Sequence, residues 1–120
     1  MSRFVILEHD HPVLHWDFML EAGAVLRTWR LEAPPQPGWE VRAEPLSDHR
    51  LLYLDYEGPV SGNRGSVHRW DAGSFSWASD EPGRVAIRLD GARCRGPAEL
   101  RRDAAGAWTF CLTEVEPGQA

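Results

Sequence analysis

The sequence of 120 residues contains no lysine, only two cysteines and no long apolar run. All 13 basic residues are therefore arginines, and 18 acidic residues bring the formal net charge to −5. A chain of this charge cannot bind a nucleic-acid polyanion through its overall field, so any such contact must be local. A bound divalent ion could supply part of the missing positive charge at one place.

The two cysteines, Cys94 and Cys111, form no CxxC pair and have no cluster of histidines beside them. A small secreted scaffold would normally contain more cysteines, so we predict two buried, reduced thiols in a cytoplasmic protein rather than a disulfide. Near the N-terminus the apolar run is limited to residues 4–7, which is too short for a signal-peptide core or a membrane span. We therefore expect no membrane association.

Short runs of alternating apolar residues, separated by Gly, Pro, Asp and Asn, extend along the whole chain. A period of two is typical of strands, and many short strands with turns between them indicate an all-β fold. We predict a single domain over residues 1–120, formed by a small closed or nearly closed β-barrel of about eight strands with long connecting loops. Residues 116–120 are expected to be a frayed tail.

Nine segments are predicted as strands, namely residues 4–8, 14–21, 24–31, 52–57, 66–71, 74–77, 84–89, 98–102 and 107–114. Residues 32–38 include three prolines and are predicted to form a long surface connection. Residues 61–65 and 80–83 are rich in turn formers, so we predict turns there.

Residues 14–21 alternate most clearly. One face of this predicted strand is apolar and carries Leu14, Trp16, Phe18 and Leu20. The other face carries His15, Asp17, Met19 and Glu21. We expect the apolar face to pack in the core, and Met19 to line a site on the opposite face. Truncation of Met19 should then cost less stability than truncation of Trp16.

His15 and Asp17 are two residues apart in this strand, so their side chains point the same way, about 7 Å apart. His9, across a turn that contains Pro12, can supply a third ligand from the neighbouring strand. Two imidazoles and a carboxylate suit zinc, manganese or iron, and three protein ligands leave positions for water or substrate. The alternative is an ordinary solvated face. His11 is interpreted as an exposed turn residue.

Three stretches of the sequence carry a resemblance to a known family. The first is His9 followed, after five residues, by His15-Trp16-Asp17-Phe18-Met19-Leu20-Glu21. The others are Asp48-His49-Arg50-Leu51-Leu52-Tyr53 with Tyr56-Glu57-Gly58, and Trp70-Asp71-Ala72-Gly73-Ser74-Phe75. They resemble the motifs His, five residues, His-Tyr-Asp-Phe-Arg-Leu-Glu; Asp-His-Pro-Leu-Asp-Tyr with Phe-Glu-Gly; and Trp-Asp-x-Gly-Thr-Trp. These belong to the 3′-phosphoesterase domain of bacterial end-joining DNA ligase D, of which this chain looks like a stand-alone, divergent member.

The resemblance implies an eight-stranded barrel and a metal-dependent hydrolase that removes 3′-phosphates or 3′-ribonucleotides from DNA or RNA ends in end repair. By position, it implies that His9, His15 and Asp17 hold the metal, with manganese preferred and zinc as the alternative. It implies that His49 contacts the scissile phosphate or transfers a proton, with the phenol of Tyr53 nearby. The expected partners are a DNA or RNA 3′ end and a separate ligase or polymerase of end joining.

One position departs from the family pattern. The family has Arg two residues after the strand Asp, whereas this chain has Met19, whose thioether cannot replace paired guanidinium donors. Arg50 and Arg64 are candidate phosphate ligands in its place, or else solvated surface residues. Two functions therefore stay open, a phosphoesterase and a binding module that keeps the fold and the metal but has lost hydrolysis. A cupin-like barrel is a third interpretation, against which the His49 and Tyr53 motifs argue.

Overall fold

The computed structural model describes residues 2–113, and strands account for most of that range. In chain order the strands are β1 (Ser2–His9), β2 (His15–Ala22), β3 (Val25–Leu31), β4 (Glu40–Arg50), β5 (Gly58–Pro59), β6 (Ser66–Glu81), β7 (Arg84–Gly91), β8 (Arg95–Arg102) and β9 (Trp108–Leu112). A short 3₁₀-helix covers Leu51–Leu54. The predicted frayed tail at residues 116–120 lies outside the described residues.

Eight of these strands close into an antiparallel barrel in the order β1-β2-β3-β4-β9-β8-β7-β6, with β6 pairing back onto β1. The closure depends on the length of β6, whose 16 residues pair first with β1 and then with β7. The two-residue β5 is an additional strand on the start of β6. The predicted all-β barrel of about eight strands is confirmed. Within residues 2–113, no helix has the length and apolar character to cross a membrane.

Two parts of the strand prediction are wrong. Residues 52–57 do not form a strand, because Leu51 and Leu54 occupy a 3₁₀ turn whose i, i+3 spacing presents both side chains to one apolar cluster. β4 is absent from the sequence prediction, since charged residues and Pro45 interrupt its alternation. Pro45 is tolerated because β4 pairs with β9 only up to Ala43, so at Pro45 the strand has β3 as its one partner. The predicted strands 66–71 and 74–77 are continuous in β6.

Apolar side chains form two clusters, one inside the barrel and one on its outer surface. All eight barrel strands contribute to the inner cluster, in which the rings of Phe18 and Phe110 are 5.0 Å apart. The outer cluster covers the other face of β1 and β2, and its buried members are Val5, Leu7, Met19, Leu26, Leu54 and Val67. β1 and β2 are therefore buried on both faces.

The two faces of β2 follow the predicted parity, but not every burial expectation holds. Phe18 and Leu20 are fully buried in the inner cluster, and the partly buried Trp16 packs against it. Leu14 precedes β2 and is 53% exposed, so its assignment to the core is wrong. Met19 lies on the opposite face as expected, but it is only 1% exposed because that face carries the outer cluster.

The Trp-Asp motif marks a structural contact. The carboxylate of buried Asp71 accepts four hydrogen bonds of 2.8–3.1 Å, from the backbone N–H groups of Ala72, Ala92, Arg93 and Cys94. These bonds hold the connection between β7 and β8 against the barrel. Burial, with a contribution from the Asp71 carboxylate, raises the pKa of the Cys94 thiol to about 12. Both cysteines are free thiols, as predicted, but Cys111 is only partly buried, which departs from the prediction.

The burial of Met19 removes the difference in stability between the Met19 and Trp16 truncations that the sequence led us to expect. We expect Met19→Ala to lower the free energy of unfolding by about 2–5 kcal/mol, comparable with Trp16→Ala rather than much smaller, because a cavity opens in the outer cluster. Val25→Ala, at a 36% exposed strand position, serves as the control and should change it by about 0.5 kcal/mol or less. Chemical denaturation measures all three, and a Met19→Ala loss no larger than that of Val25→Ala would contradict the assignment of an outer core.

Candidate metal centre and adjoining cavity

The three predicted metal ligands lie together on the outer face of the β1–β2 hairpin. His9 ends β1 and pairs directly with His15, the first residue of β2, and Asp17 follows two residues later on the same face. One ligand atom from each residue can be chosen so that all three lie within 4.8 Å of one another. His15 and Asp17 are 2% and 3% exposed, whereas His9 keeps some contact with solvent.

Backbone carbonyls determine which nitrogen of each imidazole faces Asp17. Nε2 of His9 donates to the carbonyl of Arg64 at 2.8 Å, and Nδ1 of His15 donates to the carbonyl of Val13 at 2.9 Å. In the neutral rings the remaining nitrogens carry lone pairs. These nitrogens, His9 Nδ1 and His15 Nε2, lie 3.3 and 3.1 Å from the two carboxylate oxygens of Asp17. Three electron-pair donors therefore converge on one small volume.

This arrangement fits a divalent ion. His15 Nε2 and Asp17 Oδ1 are buried and, despite their 3.1 Å separation, are not aligned as a hydrogen bond with each other or with another described residue. Leaving such atoms without a partner costs about 1–3 kcal/mol each, and a cation bound by both would remove that cost. A second nitrogen that donates to a backbone carbonyl is also typical of metal-ligating histidines. Two imidazoles and one carboxylate suit manganese or zinc.

The loop before β6 closes one side of the centre. The backbone N–H of Ser66 donates to the Asp10 carboxylate at 2.8 Å and lowers the pKa of that carboxyl group. Gly65 adopts φ +71°, and a side chain at this position would collide with Asp10. The close approach of the loop to the β1–β2 turn brings the Arg64 carbonyl onto His9.

A cavity of about 390 Å³ adjoins the centre, and the two predicted catalytic residues line it. His9 and Asp17 line one side, and His49 from β4 and Tyr53 from the 3₁₀-helix line another, with their rings 5.9 Å apart. Nδ1 of His49 donates to the carbonyl of Ser47 at 2.8 Å, so Nε2 is the nitrogen left to contact a ligand.

The two predicted phosphate ligands occupy different places. Arg64 lines the cavity, but its guanidinium donates to the carbonyl of Ser61 at 2.7 Å. Arg50 is exposed at the end of β4 and is not among the residues that line the cavity. Met19 lines the cavity directly, and so does Arg30, which is absent from the sequence prediction.

Comparison with known proteins gives the family. The family model of the DNA ligase D 3′-phosphoesterase domain matches residues 7–102. The chain belongs to this family. The match includes His9, His15 and Asp17 as well as His49 and Tyr53, so it covers both the candidate metal centre and the adjoining cavity. The resemblance inferred from the sequence motifs is confirmed.

The relatives that carry this phosphoesterase domain are much longer proteins. The multifunctional non-homologous end joining protein LigD of Pseudomonas aeruginosa is 32% identical over 112 residues, which cover 85% of this chain and 13% of the relative. The multifunctional non-homologous end joining DNA repair protein LigD of Mycobacterium tuberculosis is 32% identical over 116 residues, which cover 89% of this chain and 15% of the relative. The chain therefore spans about one-seventh of the length of these relatives.

The sequence does contain a pattern that places Arg30 at the candidate metal centre. A two-residue turn joins β2 and β3, with Ala22 paired to Val25. Counting outwards from this pair along both strands places Arg30 directly opposite Asp17, as observed. Cross-strand partners have Cβ atoms about 4.5–5.5 Å apart on one face of a sheet, so the register of the hairpin alone brings a guanidinium to the ligand carboxylate.

We predict that the protein binds one divalent ion per chain at His9, His15 and Asp17. His15→Ala and Asp17→Ala should each weaken binding of manganese or zinc by at least about 100-fold, because each removes a direct ligand from a three-residue site. Calorimetric titration measures this. His68→Ala, which removes an exposed histidine on β6, is the matched control and should bind as the parent does. Unchanged affinity in both ligand variants would place the ion elsewhere.

Proposed function

We propose that this chain is a divalent-metal-dependent phosphoesterase that removes a 3′-phosphate or a 3′-ribonucleotide from a DNA or RNA end during end repair. One observation supports this most strongly. Asp17, whose carboxylate is buried between two imidazoles, lines the same cavity as His49 and Tyr53. A candidate metal centre, the imidazole of His49 and the phenol of Tyr53 thus share one cavity, and family membership supports a role in end joining.

The proposed cofactor is manganese, with zinc as the alternative. A divalent ion held by His9, His15 and Asp17 would supply Lewis-acid chemistry that neutralises charge developing on a phosphate and makes water a better nucleophile. The burial of Asp17 and His15 keeps water away from this side of the centre, so charges there act through a medium of lower dielectric constant.

His49 is the proposed proton donor. In hydrolysis of a 3′-phosphate, water attacks phosphorus, the bond between phosphorus and the 3′ oxygen breaks, and that oxygen must gain a proton. Protonated Nε2 of His49 can give this proton, because Nδ1 is already committed to the Ser47 carbonyl and holds the ring in place. The phenol of Tyr53, beside the His49 ring, can donate a hydrogen bond to a phosphoryl oxygen.

Met19 favours a second candidate, a metal-containing module of the same fold that binds a phosphate terminus or a repair partner, such as a separate ligase or polymerase, without hydrolysis. The buried thioether offers a phosphate no donor at this position. Loss of one transition-state donor costs about 10²–10³ in rate, however, which slows an enzyme without abolishing its activity. The phosphoesterase is therefore the better supported function.

The proposed activity is tested on a primer-template that carries a 3′-phosphate or a single 3′ ribonucleotide, with manganese present. The parent should process both ends, and Asp17→Ala should abolish the reaction because it removes a metal ligand. His49→Ala should lower the rate by about 10²–10⁴ through the loss of general-acid catalysis. His68→Ala is the control and should match the parent. A parent that binds the 3′-phosphate end but leaves it intact over many hours would support the binding module instead.

Met19→Arg should raise the rate on the same ends. An Arg at position 19 projects from β2 on the face of Asp17 and into the cavity that Met19 lines, where it can donate charge-assisted hydrogen bonds to a phosphate. Such bonds contribute about 1.5–3 kcal/mol, or about one to two decades in rate if they form mainly in the transition state.

Two controls accompany Met19→Arg in the manganese-dependent assay. Met19→Gln introduces a polar chain of similar length without the charge and should give no comparable gain. The double variant with Asp17→Ala should be inactive, because the new guanidinium can only assist a reaction that the metal already supports. An unchanged rate in a well-folded Met19→Arg protein would mean that an arginine at position 19 adds no contact to the phosphate in the transition state.

A further inference from the structure

Arg30 carries a charge for which residues 2–113 provide no ion-pair partner. Its Nε is buried without a hydrogen-bond partner, and none of the ion pairs formed by residues 2–113 includes it. Arg27 on the same strand is the contrast, because it pairs with Asp80 at 3.0 Å and lies over the ring of Trp29. A guanidinium stays protonated at any ordinary pH, so an anionic ligand that reaches Arg30 can take up charge-assisted hydrogen bonds that no described residue accepts.

A ligand that binds Arg30 would lie near both the candidate metal centre and the adjoining cavity. Arg30 pairs with Asp17 across β2 and β3, and it lines the metal-side cavity together with His49 and Tyr53. It also lines a second, larger cavity of about 550 Å³, to which His15 contributes. Arg30 therefore lies at the junction of the two cavities, beside the candidate metal centre.

Among residues 2–113, no side chain at this junction forms an ion pair with Arg30. The two oxygens of Asp17 are directed at His9 and His15 rather than at the guanidinium. Glu44, the cross-strand partner of Arg30 on β4, is exposed and makes no ion pair with it within the described residues. The unmatched charge is thus available to an anion that enters from either cavity.

We propose that Arg30 binds the terminal phosphate of the substrate, as a guanidinium separate from the one that the family pattern places at position 19. This inference rests on the proposed function. A cross-strand partner lies about 4.5–5.5 Å from Asp17 at Cβ, closer than the roughly 7 Å between Asp17 and the residue two places along the strand. Position 30 can therefore present a guanidinium to the metal-side phosphate at least as well as position 19. The planar guanidinium suits a phosphate because it donates two parallel hydrogen bonds.

The test measures binding separately from hydrolysis. Two versions of one 5′-fluorescent deoxyoligonucleotide, ending in a 3′-phosphate or a 3′-hydroxyl, are titrated with the parent, Arg30→Gln, Arg30→Lys and Arg88→Gln in the presence of a chelator, followed by anisotropy. Arg88 is an exposed arginine on β7, outside both cavities, and serves as the matched control. Manganese affinity and the melting temperature of each variant are measured in parallel.

The parent and Arg88→Gln should prefer the 3′-phosphate end, whereas Arg30→Gln should lose about 10- to 100-fold in affinity for that end alone. Arg30→Lys keeps the charge without the paired donors and should fall between them. Manganese should bind Arg30→Gln at least as tightly as the parent, since a neighbouring positive charge has been removed. This last result separates loss of a phosphate ligand from damage to the metal centre.

Two results would overturn the inference. One is a folded Arg30→Gln or Arg30→Lys that keeps the full preference for the 3′-phosphate, and the other is a parent without any such preference. Neither result decides the proposed function, which is tested by turnover of the 3′ ends in manganese. If the parent turns over 3′-phosphate ends and Arg30→Gln does so equally well, the phosphoesterase assignment stands and the role of Arg30 is refuted.

Discussion

The register of the β1–β2 hairpin is the constraint on which the candidate site depends. His9 and His15 face each other as strand partners, and Asp17 follows on the same face. Because side chains alternate between faces, a slip by one residue would turn these groups into the barrel interior and expose Phe18. Apolar burial opposes that slip on both sides, through Phe18 inside the barrel and Met19 outside it. The convergence of the ligands is thus maintained by core packing.

The chain between β4 and β6 encloses the candidate site on the outer face of β1 and β2. Between β4 and β6 the chain folds over the outer face of β1 and β2, where Leu54 enters the outer cluster. The same segment provides Tyr53 to the cavity and the Arg64 carbonyl to His9. Packing of this segment therefore orients a ligand imidazole while it excludes water from Asp17, which strengthens every electrostatic interaction at the centre.

The charged side chains of the site act over short distances and not through the net charge of the chain. The chain is negative overall, with a formal net charge of −5, so long-range attraction does not steer it to nucleic acid. Within the site, the Asp17 carboxylate is directed at two histidines while Arg30 and Arg64 line the adjoining cavity. A chain that uses arginine for every basic residue has planar, paired donors wherever a phosphate is to be bound. This distribution fits the proposed recognition of a terminal phosphate better than it fits binding along a nucleic-acid strand.

Local alternation in the sequence was sufficient to predict the all-β class, the two faces of β2 and the grouping of His9, His15 and Asp17, because strand parity is a property of neighbouring residues. Features that depend on distant pairing could not be obtained in this way. β4 was not predicted, because its charges and proline are acceptable only where one strand partner is missing. The burial of Met19, and the lack of a partner for Arg30 among the described residues, depend on segments that come together only when the barrel closes.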